Sequence, residues 1–122
     1  MERTDRISEE IKKELSELIR NQIKDPRLPD FVSVTAVRVT RDLRYAKAYV
    51  SVLGDDSQKN NALIALTNAS GFIRREIGKR ISLRYTPEFT FILDESIEKG
   101  MELLKFIEQT VNSDDKDSGE DE

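Results

Sequence analysis

Apolar residues in the first half of the chain recur with two periods, one helical and one typical of strands. In residues 6–24 they return every three or four positions opposite a charged side, which predicts a first helix. Residues 31–40 and 45–53 are rich in strand-forming residues, and the second stretch alternates between apolar and polar side chains. This pattern predicts an antiparallel hairpin whose sheet is packed on one face and open on the other. Within residues 31–40 the valines change parity, so we expect a bulge or bend near Ala36.

The second half of the chain predicts a kinked pair of helices, a strand and a last helix. Helical periodicity in residues 57–82 is interrupted around Ala69, Ser70 and Gly71, which predicts a kink there. A third strand is predicted at residues 88–93 and a last helix at residues 97–111. The order α-β-β-α(kink)α-β-α indicates an α+β fold with a three-stranded mixed sheet and helices on one face. The long connection before the third strand allows that strand to lie parallel to its neighbour.

The amino-acid composition excludes several kinds of functional site. The chain contains no cysteine and no histidine, so disulfides, thiolate nucleophiles and the commonest zinc ligand are excluded, and we expect no metal site and no cofactor. The net charge is −4, but residues 112–122 hold six acids and one base, which leaves residues 1–111 with a net charge of +1. We therefore expect one domain at 1–111 and a disordered acidic tail at 112–122. No run approaches the ~20 apolar residues of a membrane helix, and the charged start is unlike a signal peptide, which favours a cytoplasmic protein.

The strongest local charge lies in residues 69–84, which contain five cations and one anion, Glu76. Isoleucines at four-residue spacing leave most of these cations on the opposite side of the helix. The simplest interpretation is a solvated helix face. The alternative is a surface that binds phosphates, with the bare backbone at the glycine allowing close approach. The candidate phosphate-binding residues in this stretch are Gly71, Arg74, Arg75, Lys79, Arg80 and Arg84.

The hairpin adds further candidates. Arg41, Arg44 and Lys47 are candidates for secondary RNA contacts. Tyr45 and Tyr49 share the open side of the second strand, where they either stack on bases or pack across strands, and both interpretations stay open.

Carboxylates are abundant, but their spacing indicates no catalytic pair. Asp25, Asp42, Glu88 and Asp94 each stand where a turn or a helix cap has a use for the side chain. We therefore expect no enzyme.

Two long stretches, residues 25–52 and 69–96, resemble the ribosome-binding factor A family, and the resemblance extends over residues 3–111. The positions that match in order and spacing are Asp25-Pro26-Arg27, Asp42-Leu43, Ala46, Phe72-Ile73-Arg74, Leu83-Arg84, Pro87-Glu88, Phe91 and Asp94. The resemblance implies a type II KH-like fold in which an Ala-x-Gly kink, here Ala69-Ser70-Gly71, replaces the glycine loop of KH domains. It also implies that the cations of the kinked helix face ribosomal RNA.

The resemblance implies a non-catalytic assembly factor of the 30S subunit. Its expected partners are the 30S subunit and 16S rRNA, with assembly GTPases as further candidates, and a monomer without membrane attachment is expected. Its expected roles are late 30S maturation and 16S rRNA processing, above all in the cold. A protein–protein adaptor that uses the exposed sheet face is the alternative.

Overall fold

The computed structural model describes residues 3–29, 31–83, 85–96 and 99–108. In chain order its elements are α1 Arg3–Asn21, β1 Val32–Val39, β2 Tyr45–Val52, α2 Asp56–Asn68, α3 Ser70–Arg80 and β3 Glu88–Leu93. Residues 99–108 are also helical and form α4. The predicted order of elements is confirmed. The predicted tail at 112–122 and both predicted ends of the last helix lie outside the described residues.

The three strands form one mixed sheet in the order β1-β2-β3. β1 pairs antiparallel with β2, and β3 pairs parallel with β2, which confirms the predicted mixed topology. The register between β1 and β2 shifts between Val34 and Ala36, so Thr35 is an extra residue in β1. The predicted bulge is therefore confirmed. It allows Val34 and Val37 both to be buried although their spacing has odd parity.

The hydrophobic core lies between the helices and one face of the sheet. On β2 the small residues Ala46, Ala48 and Val50 are almost fully buried and let the helices approach, whereas the alternating residues face away. The helices contribute large side chains without solvent exposure: Ile11, Leu15, Leu18, Leu66, Ile73 and Ile77. Because the packed helices cover this face, the other face of the sheet is open as far as the described residues extend.

Both ends of α1 lie earlier in the chain than predicted, because α1 runs over Arg3–Asn21 instead of residues 6–24. At its C-terminal end the backbone N–H groups of residues 22 and 23 both donate to the Leu18 carbonyl and close the helix. Pro26 follows in a turn in which the Leu28 N–H donates to the Asp25 carbonyl. At the start of α2, Asp55 and Gln58 form a reciprocal capping box.

α4 differs from the other helices because residues 99–108 are all exposed. Its large apolar side chains Met101, Leu103, Leu104, Phe106 and Ile107 are between 46% and 65% exposed.

Among the helices of the described ranges, none has the length and apolar character to cross a membrane.

Candidate nucleic-acid interface

The two central helices are separate, and the break falls at Ala69. This residue has φ −88° and ψ 1°, and it ends α2 while starting α3. Its N–H donates to the carbonyls of Ala65 and Leu66, and the Ser70 hydroxyl donates to the Thr67 carbonyl at 2.7 Å. No side chain caps the first turn of α3. The structure therefore places the kink at the first of the three predicted positions.

Gly71 lies within the first turn of α3 and does not itself form the break. A Cβ built on it would meet only the Arg75 guanidinium, at 3.8 Å, which is an ordinary contact. Neither backbone strain nor packing inside the protein requires a glycine here. Open space above this backbone is what the close approach of a phosphate needs.

The exposed cations of α3 differ in how firmly they are held. The Arg74 side chain donates from Nε to the Thr86 carbonyl at 3.1 Å. Lys79 Nζ lies 3.3 Å from Glu76 Oε2, but the lysine side chain remains 74% exposed. Arg75 is exposed and has no ion-pair partner among the residues that the structure describes. Arg75 and Lys79 are thus available to an outside ligand.

Arg80 points the other way, toward α1. Its guanidinium donates to Glu14 Oε1 at 3.1 Å and to Glu17 Oε1, and its side chain is only 20% exposed. The hydrogen bond from Arg80 and its positive charge lower the pKa of Glu17, and the two glutamates raise the pKa of Arg80. Arg80 therefore joins α3 to α1, and its predicted contact with RNA stays a prediction. Arg84 lies outside the described residues.

The segment before β3, residues 85–87, connects α3 to the β1–β2 turn. Thr86 lies against α3 at Gly78, where an added Cβ would come within 2.9 Å of the threonine Oγ1. On its other side the segment reaches Arg44, whose guanidinium lies over the Tyr85 ring at 5.4 Å from the centroid. The Glu88 N–H donates to the Arg44 carbonyl at 2.8 Å. Tyr85 and Thr86 were not identified from the sequence, because no local pattern shows which distant cations they join.

The β1–β2 turn is held rigidly by side-chain hydrogen bonds. Asp42 accepts from the Thr40 hydroxyl at 2.7 Å and from the Arg44 N–H at 3.1 Å, and these bonds lower its pKa. Leu43 has a positive φ of 63° and buries its side chain in the core, which fixes the turn on the sheet. Arg41 is left exposed at the tip.

These contacts connect α3 to the β1–β2 turn through Tyr85 and Thr86, and the exposed residues along this path and beside it are called here the α3–turn surface. It consists of Arg41, Arg44, Gly71, Arg74, Arg75, Lys79 and Tyr85. Lys47 is not part of it, because this residue faces the open side of the sheet. Sequence reasoning therefore identified most of the surface but not its connection through Tyr85 and Thr86.

Three of the four carboxylates considered as catalytic candidates, Asp25, Asp42 and Asp94, have local structural roles. Asp25 accepts from the Arg27 backbone and side chain, with the nearest of these contacts at 2.9 Å. Asp94 accepts from the Thr35 hydroxyl at 2.5 Å and from the Ser96 N–H at 3.0 Å. Within the described ranges, no group of three or more acidic side chains is placed to hold a metal ion.

Comparisons with a family model and with known proteins agree on one family. The family model described as Ribosome-binding factor A matches residues 3–107. The ribosome-binding factor A of Acetivibrio thermocellus is 59% identical over 110 residues, which cover 90% of this chain and 89% of that protein.

Solved structures agree with the sequence comparison. The crystal structure of ribosome-binding factor A from Thermus thermophilus matches with a TM-score of 0.66 at 27% identity, over 74% of this chain and 94% of that one. A homology model of the Thermus thermophilus factor, fitted into a cryo-EM map of a complex with the 30S subunit, matches with a TM-score of 0.54 at 25% identity, over 70% and 93% of the two chains. The predicted KH-like fold is confirmed by these similarities.

Proposed function

Because this chain belongs to the ribosome-binding factor A family, we propose that it binds the 30S ribosomal subunit and contacts 16S rRNA through the α3–turn surface. The proposal is supported by the related Thermus thermophilus factor, which has been fitted into the map of a 30S complex. It assigns the direct contacts to Arg75 and Lys79, with Arg41, Arg44 and Arg74 beside them.

The observation that carries the proposal is the joining of cations from two distant parts of the chain. Arg74 contacts Thr86, and Arg44 contacts Tyr85. These two residues are neighbours in the segment before β3. Exposed cations on a fixed frame suit the regular phosphate positions of folded RNA. The uncapped first turn of α3 adds backbone N–H groups near Gly71, where a phosphate has room to approach.

We further propose that binding serves late 30S maturation and the processing of 16S rRNA ends, with the greatest effect in the cold. In this role the protein acts by binding, as a cytoplasmic monomer without catalysis, and assembly GTPases act on the same particles. The alternative is an adaptor that binds a protein through the open sheet face.

The test is cosedimentation with immature 30S particles over a range of salt concentrations. We expect Arg75→Glu together with Lys79→Glu to abolish most of the binding. In the unaltered protein the logarithm of affinity should fall linearly with the logarithm of salt, and each phosphate contact that is lost should reduce that slope by roughly 1. Arg80 is left unchanged because its ion pairs hold α1 against α3.

The matched control makes the same change in charge outside the α3–turn surface, on α1. Lys13 and Arg20 are exposed on this helix, and Arg20 lies on its side toward β1, so Lys13→Glu together with Arg20→Glu alters net charge equally. We expect this control to keep nearly all of the binding. Unchanged cosedimentation of the Arg75 and Lys79 variant would reject the α3–turn surface and favour the adaptor alternative.

A further inference from the structure

The open face of the sheet carries an aromatic and cationic strip separate from the α3–turn surface. Tyr45, Lys47 and Tyr49 alternate along β2 and therefore point to this face. β2 is the central strand, so the strip runs along the middle of the sheet. Its flanking positions in the register are Arg38 on β1 and Thr90 on β3.

Two cations stand directly opposite each other at the centre of this strip. Arg38 pairs with Lys47 in the register, and both side chains are exposed. Like charges at directly opposed cross-strand positions are destabilising. Neither cation has an ion-pair partner within the described ranges, and the acids of this face lie toward its two ends, at Glu88 and Asp94. A bound anion would relieve the repulsion.

The two tyrosines are placed on either side of this charged pair. They are four residues apart along one strand, which separates them by about 13 Å. Tyr45 is 55% exposed, and Tyr49 is half-buried between Ala36 and Ile92 in the register, so its ring is held in place. We propose that single-stranded RNA binds along β2, with bases stacked on Tyr45 and Tyr49 and the phosphate backbone between them at Arg38 and Lys47.

This site goes beyond the proposed docking through α3 and takes a different form of RNA. Duplex RNA keeps its bases stacked inside the helix, so the rings of the tyrosines have nothing to stack on. Stacking on aromatic side chains tolerates any base, because every base has a π-face. Tyrosine and arginine also occur at the centres of protein interfaces, but lysine is depleted there, so the opposed pair of Arg38 and Lys47 favours a phosphate backbone over a protein surface.

The test measures binding of a short, unstructured, fluorescein-labelled RNA by fluorescence anisotropy at low salt. We expect Tyr45→Leu and Tyr49→Leu each to weaken binding by roughly fivefold or more, and Tyr45→Phe and Tyr49→Phe to retain it. Lys47→Glu should weaken binding and reduce its dependence on salt. The same RNA annealed to its complement should bind more weakly than the single strand. Thermal unfolding of each variant separates loss of binding from loss of fold.

Two further proteins separate this site from the α3–turn surface. Lys13→Glu is the charge control and should bind the short RNA as well as the unaltered protein does. The variant with both Arg75→Glu and Lys79→Glu should still bind the short RNA, even though it no longer binds 30S particles. Equal binding of single-stranded and duplex RNA, full binding by both leucine variants, or loss of the short RNA in the α3 variant would each overturn the proposal. A Tyr45→Leu effect on 30S binding without an effect on the short RNA would also overturn it and identify the open face as a contact with another part of the 30S particle.

Discussion

Alanine substitutions at two glycines of α3 test how closely the segment before β3 lies on that helix. Gly71 and Gly78 share one helix, but their surroundings differ. A Cβ at Gly71 meets only the far end of the Arg75 side chain at 3.8 Å, whereas a Cβ at Gly78 comes within 2.9 Å of Thr86 Oγ1. The same chemical change is therefore made once into open space and once into a tight contact.

The expected effects have opposite signs. Alanine is favoured over glycine in a helix by about 0.5–1 kcal/mol, so Gly71→Ala should raise the free energy of unfolding by about that amount. At Gly78 the same gain is opposed by overpacking against a stiff threonine, which typically costs about 1–3 kcal/mol. We therefore expect Gly78→Ala to lower stability by up to about 2 kcal/mol, from the difference between these two terms.

Urea unfolding followed by circular dichroism gives both values, and thermal unfolding checks them, since 1 kcal/mol corresponds to roughly 4–8 °C in a small domain. Adding Thr86→Ala to Gly78→Ala should recover part of the loss, as in a double-mutant cycle. If Gly78→Ala stabilises as much as Gly71→Ala does, Thr86 does not lie on α3 as described, and the connection from Arg74 to Arg44 fails with it. Should Gly71→Ala weaken 30S binding despite the higher stability, the glycine serves the close approach of a phosphate.

Three other changes test the core, the bulge and the contact between α1 and α3. Ile77 is fully buried, so Ile77→Ala should reduce the free energy of unfolding by about 2–5 kcal/mol in urea titration. Hydrogen bonds from the Thr35 hydroxyl and from Ser96 together lower the pKa of Asp94 to about 2, with Thr35 as the largest cause. The stabilisation from these bonds is complete above the unfolded pKa of about 3.9 and is lost as pH falls toward 2. The stability deficit of Thr35→Val should therefore shrink over that acidic range, and a constant deficit would contradict the assignment. Arg80→Gln should lower the thermal midpoint at low salt, with a smaller deficit at high salt, because salt screens its pairing with α1.

Local patterns predicted the elements well because each depends on neighbouring residues. The change of parity between Val34 and Val37 required an extra residue, and the bulge at Thr35 supplies it. Residues 88–93 were predicted as a strand, and β3 occupies the same positions. The kink was predicted at Ala69 to Gly71 and lies at the first of these residues, because α2 ends there without needing a glycine.

Contacts between distant residues could not be predicted in the same way. The sequence identified Arg80 only as one of the candidate cations of α3, because its partners on α1 are 66 and 63 residues away in the chain. The stacking of Arg44 on Tyr85 likewise depends on how β3 enters the sheet beside β2. Such pairs follow from tertiary packing, so the sequence identified charged candidates without showing which of them the fold engages.

The hydrogen bond from Thr35 to Asp94 joins β1 to the residue that directly follows β3, and these two strands do not pair with each other. β1 and β3 are the two outer strands, and the bond spans the central strand between them. Fraying of either outer strand therefore removes a contact from the other. At this end the sheet should open as one cooperative unit, and its amide protons should exchange with solvent together instead of strand by strand.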